Sequence, residues 1–71
     1  MIEFFDWKFY FSDEFKVYCD KDNQRMALLT KGDDDIHVAI EVIDNQLIFN
    51  PRWSIKIIIV GEKEVRFMTN I

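Results

Sequence analysis

Apolar residues recur at every second position through most of this chain, the period of a half-buried β-strand rather than of a helix. Phe5, Trp7, Phe9 and Phe11 share one parity, with Asp6, Lys8 and Tyr10 on the other. Phe15, Val17 and Cys19 alternate with Lys16 and Tyr18, and Met26, Leu28 and Thr30 alternate with Arg25, Ala27 and Leu29. The pattern is cleanest where Ile36, Val38, Ile40 and Val42 alternate with His37, Ala39 and Glu41. Leu47 and Phe49, then Trp53, Ile55, Ile57 and Ile59, then Val65, Phe67, Thr69 and Ile71 complete the inward set.

Turn-forming clusters separate these runs at Ser12 to Glu14, Asp20 to Gln24, Lys31 to Asp35, Asp44-Asn45, Asn50 to Arg52 and Gly61 to Lys63. Short strands with regularly spaced turns predict an all-β chain, an antiparallel meander of about six to seven strands in one domain over 1–71. A helix-start signal at Ser12-Asp13-Glu14 is the one competing element.

Loop lengths predict the register. A two-residue Asp44-Asn45 turn sets Val42 opposite Leu47, Glu41 opposite Ile48 and Ile40 opposite Phe49, so inward residues meet inward residues. Three-residue loops at Ser12 to Glu14 and Gly61 to Lys63 set Phe11 against Phe15, Phe9 against Val17, Ile59 against Val65 and Ile57 against Phe67, with Gly61 offered as the left-handed residue. The same scheme places Arg25 opposite Glu41, Tyr10 opposite Lys16, Lys8 opposite Tyr18 and His37 opposite Leu29. Eight inward aromatics would stay wet on a flat sheet, so the meander is expected to curl into a small barrel or sandwich.

Composition sharpens this. At 71 residues the chain is close to the size where one core barely suffices, and Cys19 is its only cysteine, so no intrachain disulfide can help. Aromatics make up 15% of the residues, each able to bury roughly 150–250 Å². Asp and Glu close behind Met1 argue against a signal peptide, and the run Ile57 to Val60 is far shorter than the roughly 20 residues of a membrane helix. A soluble, cytoplasmic protein is expected. Plentiful Ile, Phe, Lys and Asn beside scarce Gly, Ala, Pro and Arg suggest AT-rich coding, as in an AT-rich bacterium or a phage.

Candidate catalytic chemistry is thin. The only histidine, His37, falls on the outward parity away from any carboxylate, and Cys19 reads as a small buried hydrophobe near a strand end. Two glycines allow no phosphate-cradling loop. No catalytic residue, cofactor or metal is expected. Asp33, Asp34 and Asp35, expected near Asp20 and Asp22, lack the ligand spacing of a calcium loop and read as a solvated turn. No barrel family supplies a match; the aromatic Lys-Gly-Phe-Gly-Phe stretch of cold-shock barrels has no counterpart.

Two surfaces remain. Ile43, Ile48, Ile58, Val60 and Met68 form an outward apolar set suited to a protein partner or a second copy. Lys8, Tyr10, Lys16, Tyr18, Arg25 and Arg66 interleave cations with rings, as in small barrels that bind single-stranded nucleic acid, but equally as in ordinary cross-strand pairs. The sequence therefore favours a non-enzymatic protein-interaction module, of the kind expected of a phage or mobile-element accessory factor that inhibits or redirects a larger intracellular protein. Single-stranded nucleic-acid binding is the alternative.

Overall fold

A computed structural model describes residues 1–70, and the inward assignment of Ile71 lies outside them. The alternating segments form eight strands with no helix among the described residues: β1 (Ile2–Phe4), β2 (Trp7–Phe11), β3 (Phe15–Asp20), β4 (Arg25–Thr30), β5 (Ile36–Ile43), β6 (Gln46–Pro51), β7 (Ile55–Gly61) and β8 (Glu64–Thr69). They make two four-stranded sheets. The central sheet has the order β3-β4-β5-β6, and the terminal sheet the order β1-β2-β8-β7. The sheets do not close into a barrel.

The central sheet is the expected meander. Val42 faces Leu47, Glu41 faces Ile48 and Ile40 faces Phe49 across the Asp44-Asn45 turn, whose residues both have positive φ, 50° and 63°. Such a turn matches the twist of its flanking strands. Arg25 faces Glu41 as expected and pairs with it at 3.7 Å.

The terminal sheet departs from the meander. β2 does not fold back on β3; it lies parallel to β8, with Phe9 beside Val65 and Phe11 beside Phe67. The reason lies at Ser12 and Asp13. Ser12 N donates to Phe67 O at 2.9 Å, and the Asp13 carboxylate accepts from Thr69 N at 2.7 Å and from Thr69 Oγ1 at 3.1 Å. These bonds latch the end of β2 to β8, and the segment crosses between the sheets instead of forming a hairpin. The expected Tyr10–Lys16, Lys8–Tyr18 and Phe9–Val17 pairs are replaced by Tyr10–Arg66, Lys8–Glu64 and Phe9–Val65.

Local chemistry explains the other departures. Phe5 and Asp6, expected within one long strand, occupy a two-residue turn at φ 47° and 72°, so Phe5 is exposed and Phe4 is buried in its place. At the β7–β8 turn, Lys63 holds the left-handed conformation at φ 55° and Gly61 does not. Ile59 still faces Val65, and Ile57 still faces Phe67. Trp53, expected inward, sits in the connection from β6 to β7 and is 79% exposed. Asp33 to Asp35 and Asp20 to Asp22 lie at opposite ends of β4, not side by side.

Both sheets contribute to one core cluster: Phe4, Phe9, Ile55, Val65 and Phe67 from the terminal sheet, and Met26, Leu28, Val38, Ile40 and Val42 from the central one. Aromatic rings bridge them. Phe67 lies 5.8 Å from both Phe9 and Phe11, Phe11 lies 6.0 Å from Phe15, and Phe15 meets the edge of His37 at 5.6 Å. Spacings of this kind are favourable beyond the area they bury.

Candidate functional site

His37 is not outward. It is 6% exposed, the one polar side chain in the buried set among the described residues. The ladder shifts between Leu28 and Leu29, so Leu29 faces Ile36 and His37 is the extra residue of a bulge. A bulge re-aims the side chain it carries, and Ile36 is exposed in consequence. The ring lies 2.8 Å from both Thr30 Oγ1 and Ser54 Oγ. Whichever nitrogen carries the proton, one hydroxyl accepts and the other donates, so both are satisfied. A serine–histidine contact suggests nucleophilic chemistry, but such a base is oriented by a carboxylate, and here a threonine hydroxyl fills that position. The arrangement ties β4, β5 and the β6–β7 connection together beside a polar cleft lined by Asp35, Arg52 and Trp53.

Cys19, expected to be buried, is an exposed free thiol at the end of β3. Asp34, in the acidic loop, has a positive φ of 58° and pairs with Lys16.

The cation and ring positions are divided between the sheets. Lys8, Tyr10 and Arg66 lie on the terminal sheet, and Lys16, Tyr18 and Arg25 on the central one. Most are already engaged. Tyr10 donates to Glu64 at 3.1 Å, which raises its phenol pKa above the ordinary value of 10.0, and the Arg66 guanidinium lies 5.5 Å from the Tyr10 ring centroid. Lys16 is held on Asp34, and this hydrogen bond raises its ammonium pKa. Hydrogen bonds from the Asn23 side chain and backbone lower the pKa of Asp20, so that end of β3 keeps its negative charge.

The outward apolar set is divided too. Ile43 and Ile48 lie on β5 and β6 of the central sheet, while Ile58, Val60 and Met68 lie on β7 and β8 of the terminal one. Ile58 faces Arg66, and Met68 faces Lys56.

The alternation pattern assigned Ile59 to the core, yet it is 75% exposed. It stands at the mouth of an apolar cleft of about 370 Å³ between the sheets, lined by Trp7, Leu47, Phe49, Ile59 and Val65. The Trp7 indole spans this opening and donates from Nε1 to Asn45 O at 3.2 Å. Sequence reasoning missed the cleft because parity tells which face a side chain takes, and not whether the facing sheet reaches far enough to cover it.

Compared with protein-family models, with curated proteins and with solved structures, the chain finds no match.

Proposed function

We propose that this chain is a non-enzymatic protein-interaction module, a small two-sheet sandwich that works in the cytoplasm and inhibits or redirects a larger protein. The small size, the AT-rich coding implied by the composition and the thin catalytic inventory support a phage or mobile-element setting. The observation that carries the reading is the pairing of an open apolar cleft at Trp7, Leu47, Phe49 and Ile59 with exposed aliphatic side chains at Ile43, Ile48 and Val60. A small domain short of core has little reason to leave such side chains wet, and exposed apolar patches mark interaction sites. The division of the cations between two sheets, with Lys16 and Arg25 on carboxylates, weakens the competing nucleic-acid reading.

The test is capture of partners from lysate with the tagged wild type and with the Ile43→Asp/Ile48→Asp variant, each with and without nuclease. A stoichiometric protein that survives nuclease and is lost with the folded variant supports the module and its surface. Nuclease-sensitive recovery of oligonucleotides would replace it with nucleic-acid binding. Unfolding of the variant would show that Ile43 and Ile48 are structural, and the Val60→Asp variant would then carry the test.

A further inference from the structure

Four strands end a sheet here, and three carry protection. β1 is three residues long and contains Glu3; β3 contains Lys16 and Asp20; β6 ends at Pro51, which has no N–H to offer. Short length, charge and proline are the devices that stop an edge from pairing with another chain. β7 differs in degree: Lys56 is its only charge and its one bulge falls between Ile59 and Gly61, which leaves Ile57, Ile58 and Ile59 as a regular, uncharged run ahead of the bulge.

The hydrogen bonds show which peptide groups this edge presents. Asn70 N donates to Ser54 O, so Ser54 and, by alternation, Lys56 and Ile58 turn their backbone groups toward β8. Phe67, which faces Ile57, turns its carbonyl the other way, to Ser12 N. The N–H and C=O of Ile57 and Ile59 therefore point out of the sheet, and among the described residues β8 is the only strand paired with β7.

We propose that a second copy of the chain pairs antiparallel with this edge about a two-fold axis at Ile58. Ile57 of each copy then faces Ile59 of the other, and the four outward N–H groups meet the four outward carbonyls. The two terminal sheets become one sheet of eight strands. Several features select a second copy over an unrelated strand. The outward donors and acceptors are self-complementary under a two-fold rotation, as an isologous contact requires. The exposed Ile59 gains an aliphatic neighbour in Ile57 of the other copy. Lys56 of each copy is carried toward the Glu62 turn of the other, which places opposite charges together in a chain whose net charge is −4. The pairing uses the backbone of β7 and stands whether or not a larger protein is captured.

Mass in solution and a cysteine pair test it. On the axis, Ile58 lies opposite its own equivalent in a non-hydrogen-bonded pair, with Cα atoms about 4.5 Å apart, within reach of a disulfide. In a Cys19→Ser background, Ile58→Cys is expected to cross-link under mild oxidation, and Lys56→Cys, displaced from the axis, is not. The wild type is expected at twice the 8.6 kDa chain mass by light scattering. Ile59→Pro removes an N–H that β8 does not use, and is expected to halve that mass while the circular dichroism of the sheets persists. A wild type that stays at 8.6 kDa at the highest concentration it tolerates overturns the proposal, as does cross-linking of Lys56→Cys as readily as Ile58→Cys. If Ile59→Pro fails to fold, the two cysteine variants decide.

Discussion

The central sheet is built from neighbours and the terminal sheet from strangers. β3 to β6 follow one another through short turns, so each pairing closes a small loop. β2 and β8 lie more than fifty residues apart and run parallel, a pairing that needs most of the chain between them to be arranged first. Closing long loops costs entropy before contacts reward it. The terminal sheet is therefore the part whose formation depends on the rest, and its join, where Phe67 sits between Phe9 and Phe11, is where the molecule is most exposed to damage.

The largest effect is expected from Phe67→Ala. It removes a fully buried ring from the core to which both sheets contribute, a change worth about 3–5 kcal/mol, in a domain whose whole stability is on the order of 5–10 kcal/mol. Urea denaturation should show little or no folded baseline, and the central sheet should be lost with the terminal one because they share a core. An intact central sheet in the variant would mean that the two sheets are separate cooperative units.

His37→Ala should cost about 1–3 kcal/mol, since it leaves the Thr30 and Ser54 hydroxyls without their partner. A cost near zero would show that water replaces the ring.

Folding kinetics can sharpen the contrast between local and distant pairing. Asn45→Val places a β-branched residue at φ 63° in the β5–β6 turn, a penalty of about 1–2 kcal/mol. If the central hairpins form first, stopped-flow measurements should show most of that loss as slower folding. Asp13→Ala releases the latch on Thr69 and should cost about 1 kcal/mol, felt mainly as faster unfolding. The reverse partition would place the β2–β8 join in the transition state.

The smallest expected effect is a titration. The bond from Tyr10 to Glu64 favours the neutral phenol, so the folded pKa lies above the unfolded one. The stabilisation is complete below the unfolded value and is lost as pH rises through the folded one. Glu64→Gln should move the Tyr10 transition down toward 10.0, read by phenolate absorbance in a Tyr18→Phe background. An unchanged midpoint would remove Glu64 as its cause.

The sequence alone determined the register where consecutive strands do pair across a tight turn, as in β5–β6 and along β7–β8. An alternating pattern with Asp44-Asn45 at its centre is enough to specify the β5–β6 register, because a one-residue slip would turn every core side chain into water. It was also enough to place Phe9, Leu28, Val38, Ile40 and Phe67 in the core. Three things needed the tertiary structure. The Phe5-Asp6 turn was hidden because an aromatic residue is an unusual occupant of positive φ. The bulge that buries His37 adds one residue to β5 without changing the apolar pattern on either side. The parallel join of β2 to β8, the open cleft at Ile59 and the bare edge of β7 depend on which sheet each strand enters, and that choice is made by contacts between the two ends of the chain, such as Asp13 with Thr69, that no local spacing encodes.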